Sequence, residues 1–203
     1  MESHMIRSSK FPIGTVHGVL IPVNQENRIR NALYYGGSLL IEETRTKTTL
    51  IRLFAYEIPI VISNKGASRV ESIDLLGYNA QKELFIIELK TADSEYGLID
   101  TVAQIRRYQN KLMSSLKCLQ KEFRGKFLLP EFTFSPNVIK TIILAPKYYF
   151  DKNKYVDVTK DSDIQYCYFA REIKPIADIM TETHPEISKS VTRIAIYKDF
   201  TQG

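Results

Sequence analysis

Residues 74–90 read DLLGYNAQKELFIIELK, a run rich in Leu, Ile and Phe that also carries Asp74, Glu88 and Lys90. Two apolar segments flank a turn-like NAQKE at 79–83, so the stretch reads as a β-hairpin. Side chains on a strand alternate between faces. Leu84, Ile86, Glu88 and Lys90 therefore share one face, and Phe85, Ile87 and Leu89 take the other. On the preceding strand Asp74, Leu76 and Tyr78 share a face. A five-residue connection sets Tyr78 opposite Leu84, Leu76 opposite Ile86, and Asp74 opposite Glu88.

Like charges opposite one another weaken a sheet, and taking them out of water makes that worse. Packing gives no reason to choose them. A hard divalent cation does, because Mg²⁺ accepts one or two carboxylates and completes its shell with water, a backbone carbonyl and substrate phosphate. The carbonyl of Leu89 is a candidate further ligand. Lys90, beside such an ion, is placed to orient or activate water and to stabilise charge on a phosphate.

Outward from the hairpin, 12–22 (PIGTVHGVLIP) reads as a β segment broken by glycines. Asn24 is a candidate cap for a short helix to about Tyr35, ended by Gly36-Gly37. From Glu43 to Tyr56, the positions Leu50, Leu53, Phe54 and Glu57 fall at helical spacing and predict a helix leading into the strand IPIVIS. Residues 99–123 carry an apolar stripe at Ile105, Leu112, Leu116, Leu119 and Phe123, which predicts one long amphipathic helix. VIKTIILAP, 138–146, reads as a strand buried on both faces. A strand DIQYCYF, a helix near 174–183 and a last strand VTRIAIY follow. The sum is an α/β fold with a mixed β-sheet flanked by helices.

The chain has 203 residues, 44% of them hydrophobic, enough for one domain with a sizeable core. No apolar run is long enough to span a bilayer and no signal-type segment opens the sequence, so the expectation is a cytoplasmic protein without membrane contact. MESHM reads as a leader ending at residue 4. Cys118 and Cys167, the two cysteines, are far apart, which argues against a disulfide framework or a zinc site. His17 and His184 have no partners at ligand spacing. A net charge of +5 permits a polyanionic partner without a basic tail to demand one.

Asp74, thirteen intervening residues, then Glu88-Leu89-Lys90 within two apolar strands resembles the PD-(D/E)xK nuclease superfamily. Ile73 stands where the superfamily's name has Pro. IDLLGY and IIELKT are most similar to the branch of mismatch and branched-DNA endonucleases. Downstream, AQIRRY sets Gln104 and Tyr108 four residues apart on one helical face, similar to the Gln-x-x-x-Tyr motif of RecB-like nucleases. The resemblance covers roughly 43–146, with 147–203 as a C-terminal elaboration of a single nuclease-like domain of restriction-endonuclease type.

The resemblance implies a metal-dependent endonuclease acting on DNA, with Asp74, Glu88 and the Leu89 carbonyl holding Mg²⁺ or Mn²⁺. Lys90 and Gln104 complete the catalytic set, and Tyr108 helps fix the helix or contacts DNA. It also implies one more acidic ligand from the helix before the sheet. Extending the stripe of Leu50 and Phe54 back two turns reaches Glu43, with Glu42 and Glu57 as rivals. Arg106, Arg107 and Lys111 are candidate phosphate contacts. The tyrosine-rich segment 146–155 interleaves aromatics with Lys in a way that suits stacking on bases. A homodimer fits an enzyme that cuts both strands.

Other readings of the same residues are an ordinary cross-strand ion pair on a solvated face and a nuclease-like module that binds nucleic acid or a protein without chemistry. Further alternatives are an RNA-directed enzyme and a restriction-type enzyme whose flanking segments form a recognition surface.

Overall fold

The hairpin forms in the register its sequence implies: Tyr78 pairs with Leu84 and Leu76 with Ile86. Asn79 and Glu83 close its connection. The Asn79 amide donates to the Glu83 carboxylate at 2.6 Å, and the Glu83 N–H donates to Asn79 Oδ1 at 3.0 Å. Lys82 sits in the left-handed region, with φ +62.

The structure is a computed structural model and describes residues 25–44, 46–64, 67–126, 139–154, 163–169 and 191–197. The leader, the segment 12–22, the cap at Asn24 and the helix near 174–183 lie outside the described residues. In chain order the elements are α1 (Gln25–Gly36), β1 (Ser38–Glu42), β2 (Thr48–Asn64), β3 (Ala67–Tyr78), β4 (Leu84–Leu89), α2 (Leu98–Lys126), β5 (Ile139–Ala145), α3 (Lys147–Lys152), β6 (Ile164–Phe169) and β7 (Val191–Ile196). No helix among them is long and apolar enough to cross a membrane.

β1 to β4 are joined antiparallel, β4, β5 and β6 are parallel, and β6 and β7 are antiparallel. β7 then pairs in parallel with β1, from Ser38 opposite Val191 to Glu42 opposite Ala195. The seven strands form a closed barrel. This corrects the expectation of an α/β, restriction-endonuclease-like core with a mixed β-sheet flanked by helices. The sheet is mixed, but it has no open edges to flank, and few helices accompany it.

Two apolar clusters explain the closure. One takes residues from all seven strands: Leu39 and Ile41, Ile51 and Leu53, Leu75, Phe85 and Ile87 with Leu89, Ile142 and Leu144, Cys167, and Ile194. It is the barrel interior, and Ile29 and Leu33 of α1 join it, so α1 covers one mouth. The other lies on the outer wall, where Ile86, Ile143 and Tyr166 meet Leu98, Ile105, Tyr108 and Leu112 of α2, and Tyr149 and Phe150 of α3. β4 and β5 thus bury both faces, which is why their sequences are nearly continuous in apolar residues.

The stretch expected to be helical from Glu43 to Tyr56 is the turn after β1 and the first half of β2. The register of β2 against β3 shifts between Leu53 and Ala55. The extra residue puts Leu53 in the interior cluster while Phe54 and Ala55 both join the outer one. That phase slip turns a two-residue period into spacings of three and four, which imitate a helix. Beyond Ile58 and Ile73 the two strands pair only with each other among the described residues, as a two-stranded ribbon running past the barrel.

Candidate active site

β4 ends at the mouth that α1 covers, and there the charged residues of the opening stretch converge. Asp74, Glu88 and Lys90 are all buried, at 6%, 2% and 4% exposure. The Lys90 N–H bonds to the Leu144 carbonyl of β5 at 3.0 Å, which carries the parallel ladder one residue past β4 and fixes the lysine. Its ammonium donates to Glu88 Oε1 at 2.6 Å and lies 5.9 Å from the centre of the Tyr96 ring. Asp74 is held by backbone: the Leu89 N–H donates to its Oδ2 at 2.8 Å.

α1 supplies two charges. Glu26, in its first turn, suits the positive end of the helix dipole. Arg30, four residues on, lies on the same helical face and donates from Nη1 to Asp74 Oδ1 at 3.3 Å. Its Nη2 pairs with Glu57 of β2. Of the three upstream glutamates considered from sequence, Glu57 is the one the structure links to Asp74, through Arg30. Glu43 lies in the β1–β2 turn, bonded to Thr49 at 2.8 Å and paired with Lys47. Its pKa is lowered by those bonds and by Lys140 at the start of β5, away from the end of β4. Glu42 pairs with Arg193 of β7 at 2.7 Å.

Among the described residues four carboxylates, of Glu26, Glu57, Asp74 and Glu88, meet two cations, Arg30 and Lys90. The excess of negative charge shows in the titration. Burial and the neighbouring Asp74 push the Glu88 carboxyl well above the usual range, against the pull of Lys90. Burial and Asp74 also raise Glu26. For Lys90, burial works against the charge, but Glu88, Asp74 and Glu26 together outweigh it and hold the proton more tightly than in an ordinary lysine. Lys90 is therefore a lasting ammonium, suited to stabilising an anion.

Glu88 Oε2 is buried and has no hydrogen-bond partner among the described residues. An orphaned carboxylate oxygen of this kind is costly, and the charge of Asp74 adds to the burial that disfavours the Glu88 anion. Two neighbouring carboxylates, one with an unspent oxygen, are the kind of donor set that a hard divalent cation such as Mg²⁺ or Mn²⁺ accepts. A larger protein cage is not formed, since among the described residues no group of three or more His, Cys, Asp or Glu is placed to hold an ion.

From α2, Gln104 Nε2 donates to the Tyr108 hydroxyl at 2.7 Å. Tyr108 is buried against the sheet, at 1% exposure, and its hydroxyl proton is held above the ordinary value by burial and by Glu88. It works within the protein and offers no surface to a base. Arg106 pairs with Asp163 ahead of β6 and donates to Gln109 at 2.9 Å, and Arg107 lies 3.5 Å from Glu71. Lys111 is half-buried further along α2. In the tyrosine-rich segment, Tyr149 and Phe150 are core residues and Tyr148 is 65% exposed. The Tyr149 hydroxyl lies 3.0 Å from Thr101 Oγ1.

Glu26 and Arg30 were not foreseen at the site. Their spacing of four in QENRIR was the available signal, but nothing local says that α1 lies over the end of β4. Comparison of the chain with protein-family models, with curated proteins and with solved structures finds no match in any of the three.

Proposed function

We propose that this chain is a metal-dependent nuclease hydrolysing phosphodiester bonds of DNA. The observation that carries the reading is the buried pair Asp74 and Glu88, the latter with an unpartnered oxygen, beside the ammonium of Lys90. Asp74 and Glu88 would hold one or two Mg²⁺ or Mn²⁺ ions, with the Leu89 carbonyl as a further oxygen. Such an ion neutralises phosphate charge and lowers the pKa of bound water. Lys90 stabilises the charge that gathers on the phosphate as water attacks. Gln104 fixes Tyr108, and Tyr108 in turn walls the site from α2 and keeps Glu88 in a poorly solvated setting.

One observation favours a second reading. Arg30 and Lys90 already compensate part of the carboxylate charge from within the chain, as they would in a nucleic-acid-binding module with no chemistry. Cleavage of labelled single-stranded, duplex, mismatched and branched DNA, and of one RNA, in Mg²⁺, Mn²⁺ or EDTA separates the two. Metal-dependent cleavage that falls to background in Asp74→Asn and Lys90→Met, with both variants folded by circular dichroism, supports the nuclease. Cleavage of RNA alone would change the substrate. No cleavage of any substrate by folded protein sinks the enzymatic reading in favour of the module.

A further inference from the structure

Arg30 has no part in the chemistry above, yet its side chain is only 8% exposed and stands between two carboxylates of the site. Its Nε is buried with no hydrogen-bond partner among the described residues. A guanidinium carries five N–H donors in a fixed fork that matches phosphate oxygens. A buried donor left unspent is costly unless something else receives it. Its two contacts differ: it pairs closely with Glu57, whereas the bond to Asp74 is 3.3 Å, longer than the 2.8 Å bond Asp74 takes from the Leu89 N–H. Glu57 itself has φ +49, in the left-handed region that a residue with a Cβ enters at a cost. That cost is borne where the side chain meets Arg30.

We infer that Arg30 is a placeholder for a divalent cation and a receiver for the phosphate that comes with it. Without an ion, Arg30 occupies Asp74 and damps the repulsion between Asp74 and Glu88. With an ion on those carboxylates, Arg30 gives up Asp74 and stays tethered to Glu57. The freed Nη1 then donates to a non-bridging phosphate oxygen, while the unspent Nε, on the opposite edge of the guanidinium, is open to a second oxygen. The phosphate half rests on the nuclease reading. The cation half rests on the charges alone.

The test is Mn²⁺ titration into the intact chain without nucleic acid, comparing the native sequence with Arg30→Gln and Arg30→Lys. Arg30→Gln should bind Mn²⁺ about tenfold tighter, the equivalent of about 1.4 kcal/mol, because the competing cation is gone. Arg30→Lys, which keeps the charge, should stay near the native value. Inorganic phosphate, as a probe, should raise the melting temperature of the native chain only when Mn²⁺ is present, and that shift should vanish in Arg30→Gln. Unchanged or weaker Mn²⁺ binding in folded Arg30→Gln overturns the placeholder role, and a phosphate shift that persists there overturns the receiver role.

Should Arg30→Gln fail to fold, Glu57→Gln gives the opposite sign. Arg30 then settles fully on Asp74 and Mn²⁺ binds more weakly, and an unchanged affinity overturns the proposal. Native protein that cleaves nothing while the Mn²⁺ order holds would sink the nuclease and leave the placeholder supported.

Discussion

Glu88 couples the stability of this molecule to pH. Its carboxyl, ordinarily near 4.5, keeps its proton to higher pH in the folded chain because burial penalises the anion and Asp74 repels it. The folded state binds more protons than the unfolded one between those values. The stabilisation is therefore complete below about 4.5 and is lost as pH rises through the raised value. In EDTA the urea midpoint should fall across that window, with a shallower slope in Glu88→Gln. Equal slopes would mean that Glu88 is ionised at no unusual cost. A divalent cation bound at the proposed site would compete with the same proton, so Mn²⁺ affinity should then increase with pH over the same range. Asp74, Glu88 and Lys90 were legible in sequence because strand periodicity and a five-residue turn suffice to place them on neighbouring strands. Arg30 and Glu57 were not, since their meeting depends on how a helix crosses a barrel mouth.

At the scale of elements, β3 shows how tightly the interior is fitted. Gly77 faces it, and a Cβ there would meet Ile51 Cγ2 of β2 at 2.4 Å and the Arg52 carbonyl oxygen at 3.1 Å. Gly77→Ala should destabilise the protein by about 1–3 kcal/mol, measured by urea denaturation, and a neutral result would mean that β2 and β3 can part without loss. α2 was readable from its helical period, β4 and β5 from short continuous apolar runs, and β6 and β7 from runs of β-branched and aromatic residues. β2 was not, because its bulge shifts the phase at Phe54 and mimics the spacing of a helix, and the stripe extended along that helix reaches Glu43, which bonds Thr49 and Lys47 in the β1–β2 turn. Glu57, further along the same strand, lies where the ribbon leaves the barrel.

For the whole molecule, closure decides where stability resides. Ile142 is fully buried in the interior cluster shared by all seven strands. Ile142→Ala should cost about 2–5 kcal/mol, whereas Val70→Ala, on the exposed ribbon, should change stability by within about 0.5 kcal/mol. Similar losses at both sites would argue that the interior is loosely packed. Closure was beyond the reach of the sequence because it joins SLLIE at 38–42 to VTRIAI at 191–196, and no local pattern tells a strand which distant strand will lie beside it.

That last pairing also sets an order on biosynthesis. β1 emerges from the ribosome early but has to wait for β7, about 150 residues later, before its second edge is covered. During that interval the nascent chain exposes an unpaired apolar strand, the kind of edge that recruits other chains. Such distant pairing also slows folding of the finished chain. Soluble yield should therefore rise at lower expression temperature, where the exposed strand has less chance to recruit other chains before β7 is made.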